Sequence, residues 1–116
     1  MKKQILDRYD IADNGDVIIK ISAEKIEDLY DEYDKKSSFS KKDLDKELVE
    51  YIIDSVSEIG KEPFCLQFYL EDEIDKKLQN RVKESIKQYF LYLEDLEKKK
   101  MKGQIKNSFI FIAIGL

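Results

Sequence analysis

The chain has 116 residues, of which 40% are charged and 42% are apolar, a balance that fits one small folded domain and excludes a disordered chain. Histidine is absent, so the commonest general base and the commonest transition-metal ligand are both missing. The single cysteine, Cys65, excludes an intrachain disulfide and fits a reducing compartment.

The net charge of −4 is unevenly distributed along the chain. All 25 acidic residues lie at or before Glu97. The lysines that follow Glu97 form a group that we call the basic collar: Lys98, Lys99, Lys100, Lys102 and Lys106. Because the rest of the chain is acidic and no aromatic residues interleave with these lysines, we expect no nucleic-acid partner and assign to the collar an attraction to anionic lipid headgroups.

Residues 5–21 predict a β-hairpin. The pair Asn14-Gly15 favours a two-residue turn of type I′, in which both central residues adopt positive φ. The arm after the turn is rich in β-branched residues, with Val17, Ile19 and Ile21 on one face. The arm before it, over residues 9–12, carries a weaker strand pattern, and an extended edge segment is the alternative there.

A short helix is predicted over residues 23–33, with Ser22 as its N-cap. Helical spacing places four apolar or aromatic residues on one face: Ile26, Leu29, Tyr30 and Tyr33. A second helix is predicted to begin at a capping-box-like pair, Ser40 and Asp43, and to end at Gly60, shortly before Pro63. Its apolar positions are Leu44, Leu48, Tyr51, Ile52, Val56 and Ile59.

Residues 64–70 (FCLQFYL) predict a strand with one apolar face and one semi-polar face, the latter formed by Cys65, Gln67 and Tyr69. This difference between the faces suits a sheet that helices cover on one side only. A long helix is then predicted from about Glu73 to Lys102. Its apolar stripe is Ile74, Leu78, Val82, Ile86, Tyr89, Phe90, Leu93 and Leu96.

These elements predict a small α+β or α/β fold. The hairpin and the returning strand form a small sheet through a right-handed crossover, packed by two helices and by the long C-terminal helix. Because two or three strands with one exposed face are marginally stable alone, we expect a homo-oligomer or a partner protein to extend or cover the sheet.

Residues 109–116 (FIFIAIGL) carry no charge and follow the basic collar. An apolar run after a lysine cluster is typical of the start of a membrane-spanning helix, which needs about 20 apolar residues. We therefore predict a cytoplasmic α/β domain over residues 1–102 and the start of a truncated transmembrane helix over residues 103–116, at the cell membrane. The alternative is a third parallel strand over residues 108–115, which would complete a β-α-β-α-β sheet.

No catalytic, cofactor or metal site is predicted. An EF-hand loop that starts at Asp10 fails because Ala12 and Ile21 occupy ligand positions. Cys65 has no histidine or second cysteine to activate it. An enzyme would depend on carboxylates alone, for example on Asp43 and Asp45 converging with Glu71.

Three stretches resemble an uncharacterised family of small prokaryotic membrane proteins: residues 26–34 (IEDLYDEYD), 38–64 (SFSKKDLDKELVEYIIDSVSEIGKEPF) and 86–93 (IKQYFLYL). The Asp43-Leu44-Asp45 segment resembles the opening of that family's second helix, and Ile114-Gly115-Leu116 resembles the opening of its first membrane span. The resemblance implies a cytoplasmic α/β domain followed by membrane helices, and it implies no known activity.

The leading functional prediction is a membrane-anchored cytoplasmic domain for interaction or self-association, without catalysis. The alternative is a ligand- or ion-responsive regulatory domain that is coupled to the membrane through the long helix. That alternative requires a pocket between the sheet and the second helix, which we predict to be lined by Tyr51, Gln67 and Tyr69.

Overall fold

The computed structural model describes residues 6–34, 36–95 and 109–114, the last six in their backbone alone. In chain order its elements are β1 (Asp10–Ile11), β2 (Val17–Ala23), two 3₁₀ turns (Ile26–Leu29 and Glu32–Asp34), α1 (Lys46–Ile59), β3 (Phe64–Leu70), α2 (Lys76–Asp95) and β4 (Phe109–Ile114). The strands lie in the order β1-β2-β3-β4. β1 is antiparallel to β2, whereas β2, β3 and β4 are parallel. The predicted small α+β fold is confirmed, including the crossover that makes β2 and β3 parallel neighbours.

The hairpin turn lies where the sequence predicts it but has a different form. The amide of Gly15 donates to the carbonyl of Ala12 at 2.9 Å, so the central residues of the turn are Asp13 and Asn14. Gly15 follows with a φ of 92°, which a residue without a Cβ adopts readily. The connection is therefore a three-residue loop rather than a two-residue type I′ turn.

The predicted helix over residues 23–33 is wrong. β2 continues through Ser22 and Ala23, which pair with Tyr69 and Leu70 of β3, so Ser22 is a strand residue and not a cap. The two 3₁₀ turns replace the helix. Leu29 and Tyr30 are buried as predicted, whereas Tyr33 is 98% exposed. Pairing with β3 outweighs the local helical pattern at the start of this segment.

The start of α1 also differs from the prediction. Asp45, not Ser40, is the N-cap, and its carboxylate accepts a hydrogen bond from the amide of Leu48 at 3.1 Å. Leu44 forms an isolated antiparallel bridge with Tyr30, which keeps residue 44 extended and delays the helix. The predicted end at Gly60 is confirmed, with a φ of 76°.

The hydrophobic core lies between one face of the sheet and the two helices. The strand residues that face the core are Val17, Ile19, Ile21, Phe64, Leu66, Phe68 and Leu70. They form one cluster with residues of both helices: Ile52, Val56 and Ile59 of α1 and Val82, Ile86 and Phe90 of α2. On the opposite face Lys20 and Ser22 are exposed, Gln67 is half-buried and Cys65 is buried. The two helices contribute to the core cluster on one side of the sheet only, as predicted.

α2 begins three residues later than the helix that the sequence predicts over residues 73–102. It begins after Asp75, whose carboxylate accepts from the amide of Leu78 at 2.8 Å, and it is described as far as Asp95. The predicted continuation to residue 102 and the basic collar lie outside the described residues.

The described part of the C-terminal segment is a strand. Each residue of β4 has a parallel partner in β3, from Cys65↔Phe109 to Leu70↔Ile114. This pairing corrects the predicted start of a transmembrane helix for residues 109–114 and agrees with the alternative strand over residues 108–115. β-branched and aromatic residues favour extended structure, and the open side of β3 supplies partners for their backbone groups. Residues 103–108 and 115–116 lie outside the described residues.

None of the helices in the described ranges is both long enough and apolar enough to cross a membrane.

Candidate functional site

One concave surface, which we call the hairpin cleft, lies between the hairpin and α1 and has a volume of about 440 Å³. Glu58 of α1 joins the two walls. It pairs with Arg8 Nη1 at 2.9 Å and accepts a hydrogen bond from the Tyr9 hydroxyl at 2.6 Å. Burial and the hydrogen bond to Glu58 raise the pKa of Tyr9, so this phenol stays protonated and cannot serve as a base near neutral pH.

The predicted pocket of Tyr51, Gln67 and Tyr69 is not assembled in the hairpin cleft. Tyr51 lines the cleft, and its hydroxyl donates to the carbonyl oxygen of Lys20 at 2.9 Å. Gln67 and Tyr69 do not line it. They lie on the sheet face away from the helices, where the Tyr69 hydroxyl donates to Gln67 Oε1 at 2.9 Å. Tyr51 therefore belongs to the helix layer, whereas Gln67 and Tyr69 lie on the opposite side of the sheet.

A second concave surface, the aromatic cleft, lies between the loop over residues 37–43 and α2 and has a volume of about 390 Å³. Asp34 positions this loop. Its Oδ1 accepts from the Ser37 hydroxyl at 2.5 Å, and its Oδ2 accepts from the amide of Asp43 at 2.7 Å. Lys41 Nζ donates to both oxygens, at 3.1 and 3.0 Å. The hydrogen bonds from Ser37, Asp43 and Lys41 lower the pKa of Asp34 from 3.8 to about 2.

The back of the aromatic cleft is a packed cluster around Tyr30. The Tyr30 hydroxyl donates to Ser85 Oγ at 3.1 Å, and both residues are buried. The rings of Tyr30 and Phe39 meet edge to face with centroids 6.0 Å apart. Lys42 Nζ lies 5.2 Å from the Tyr30 ring centroid and 5.7 Å from that of Phe39, within range of a cation–π interaction with each ring.

Two tyrosines of α2 form the opposite wall. The ring centroids of Tyr89 and Tyr92 are 6.0 Å apart, and Tyr92 is 51% exposed. Burial and then the negative charge of Asp43 raise the pKa of Tyr89. The sequence places both tyrosines in or beside the helix stripe and gives no indication that a loop faces them. Their i, i+3 spacing is the one available signal, since it puts both rings on one side of the helix.

Within the described ranges, no group of three or more His, Cys, Asp or Glu side chains is placed to hold a metal ion. Cys65 is a free, buried cysteine. Burial and the nearby charge of Asp16 raise the pKa of its thiol, which keeps it protonated at neutral pH.

The two edges of the sheet differ in chemistry. β1 pairs with Val17 and Ile18 of β2. Beyond these two residues, the Tyr51 hydroxyl donates a hydrogen bond to the carbonyl of Lys20, and the Lys20 ammonium pairs with Asp10. A tyrosine hydroxyl thus occupies the backbone carbonyl of Lys20, two residues beyond the last pair with β1. At the other end, β4 pairs in the described structure with β3 alone. Its sequence, FIFIAI, contains neither a charged residue nor a proline.

No protein-family model, curated protein or solved structure matches the chain. The resemblance to a family of small prokaryotic membrane proteins, and the membrane location that it implies, therefore stay predictions.

Proposed function

We propose that the chain is a non-catalytic interaction domain that self-associates by antiparallel pairing of β4 with β4 of a second copy. The observation that carries the proposal is the outer edge of β4, which has no partner strand among the described residues. An edge strand presents a row of unpaired amide and carbonyl groups, and an uncharged edge lacks the residues that usually prevent pairing with another chain.

Pairing between two copies of β4 satisfies the geometry of a symmetric dimer. An antiparallel pair of identical strands has a two-fold axis perpendicular to the sheet, so each copy offers the other the same hydrogen-bonding groups. This axis places both helix layers on the same side of one continuous sheet. The two-residue β1, with the edge of β2 beyond it, would remain at each outer end. Such a short edge strand offers little pairing surface, which limits the assembly to two copies rather than a fibre.

A matched pair of proline variants tests the proposal. Successive amides of a strand point to opposite edges, so one of Phe111→Pro and Ile112→Pro removes an amide that faces β3 and the other removes an amide at the outer edge. We expect the outer-edge variant to remain folded, by circular dichroism, and to be monomeric by light scattering. The variant that breaks a bond to β3 should lose stability instead.

The unmodified chain is the reference for both variants and should have about twice the mass of 13.8 kDa expected for one copy. A folded monomer for the unmodified chain, or dimers that persist in both folded proline variants, would refute pairing through β4.

A further inference from the structure

The aromatic cleft has the composition of a site for a positively charged ligand. Three rings border it, from Phe39 on the loop and from Tyr89 and Tyr92 on α2. The face of an aromatic ring is electron-rich and attracts an ammonium group placed within about 6 Å of its centroid. Tyr92 is half-exposed, so its ring is accessible from solvent.

The protein already places an ammonium group of its own against the rings at the back of this cleft. Lys42 Nζ lies 5.2 Å from the ring centroid of Tyr30 and 5.7 Å from that of Phe39. The loop that carries Lys42 is fixed by the hydrogen bonds of Asp34 to Lys41 and to the amide of Asp43. This contact shows that the rings of Tyr30 and Phe39 accept an ammonium group within cation–π range.

The charged side chains that line the cleft are Lys41, Lys42 and Asp43. Asp31, Asp34 and Asp43 raise the pKa of Tyr89 through their negative charge, after the larger effect of burial. Lys41, which also lines the cleft, donates to both carboxylate oxygens of Asp34. Lys41 is therefore paired with Asp34, and Lys42 lies against the rings of Tyr30 and Phe39. The carboxylate of Asp43 is the charge that acts most strongly on Tyr89.

We propose that the aromatic cleft binds an organic ammonium cation with a small apolar body, held between the rings of Phe39, Tyr89 and Tyr92. The volume of about 390 Å³ lies within the range of small-molecule sites. Asp43, which also lines the cleft, supplies a carboxylate close to the bound charge. Such a site would give the predicted ligand-responsive role a location, and it does not depend on pairing through β4.

The test uses choline and its uncharged carbon isostere, neohexanol, which has the same shape without the positive charge. Each is titrated into the full chain while backbone amide shifts are followed by nuclear magnetic resonance. We expect saturable shifts with choline at residues 39–43 and 85–92, and binding of neohexanol weaker by about fivefold or more. Equal affinity for the two probes, or no saturable shift with choline, would overturn the proposal.

Three variants separate the rings from general surface effects. Tyr92→Leu removes the half-exposed ring, and we expect it to weaken choline binding about threefold to fivefold. Tyr92→Phe keeps the ring and should leave the affinity unchanged. Tyr33→Leu removes a tyrosine that is 98% exposed and does not line the cleft, so it is the matched control and should also have no effect. An equal loss of affinity in Tyr92→Leu and Tyr33→Leu would contradict a site at the rings.

Discussion

At the scale of single residues, the carboxylate of Asp34 accepts hydrogen bonds from three residues of the loop that follows it. It holds Ser37, Lys41 and the amide of Asp43 in one network, and so fixes the loop that borders the aromatic cleft. The sequence does not indicate this role, because its partners lie at irregular separations in a segment without helical or strand periodicity. Burial on regular elements, by contrast, could be predicted, as Ile52, Val56 and Ile59 show.

The lowered pKa of Asp34 predicts a pH dependence of stability. The carboxylate is stabilised in the folded chain, where its pKa is about 2 instead of 3.8. Its contribution to the free energy of unfolding is therefore complete above the unfolded value and is lost as the pH falls from about 4 to about 2. Asp34→Asn should lower stability at neutral pH and flatten this acid-dependent loss, as measured by urea denaturation across the interval.

The control for Asp34 is Asp7→Asn, because Asp7 is an exposed aspartate outside the network. It should leave both the stability at neutral pH and the acid-dependent loss close to those of the unmodified chain. If Asp34→Asn and Asp7→Asn gave the same pH profile, the hydrogen bonds of Asp34 would not stabilise the fold.

At the scale of elements, the sequence predicts strands and helix ends best where a strong local signal agrees with the tertiary contacts. β3 and the end of α1 at Gly60 are such cases. The helix predicted over residues 23–33 fails at its start because its expected cap, Ser22, and its first residue, Ala23, extend β2 along β3. The predicted start of α1 is wrong because several polar residues before the helix could act as its N-cap. The bridge between Leu44 and Tyr30 keeps residue 44 extended, so the helix begins after Asp45.

The choice of cap can be tested directly. Asp45→Ala removes the side chain that accepts the amide of Leu48, and it should lower the free energy of unfolding by about 1 kcal/mol. Ser40→Ala removes the residue that the sequence favours as the cap, and it should change stability little because the Ser40 hydroxyl meets only that of Ser38 at an exposed site. Chemical denaturation of both variants measures the difference, and a larger loss in Ser40→Ala would contradict the observed start of α1.

At the scale of the whole molecule, the secondary structure of the C-terminal segment depends on its pairing with β3, which is distant in the sequence. For this reason it is the hardest part of the chain to predict. An uncharged run of six to eight residues is compatible with a buried strand or with the beginning of a membrane helix, and periodicity does not separate the two. The decisive factor is non-local, since each residue of β4 pairs with a residue of β3 that lies 44 positions earlier in the chain. The aromatic cleft could not be predicted from the sequence either, because it forms only when the loop over residues 37–43 folds against α2.

Backbone amide hydrogen exchange along β4, measured at high and at low protein concentration, tests most directly whether this strand completes the sheet and joins two copies. The account predicts protection of amides on both edges of β4 at high concentration. On dilution only the alternate amides that face away from β3 should lose protection. Rapid exchange of all six amides at both concentrations would contradict the strand, and rapid exchange of the outer set at every concentration would contradict the dimer.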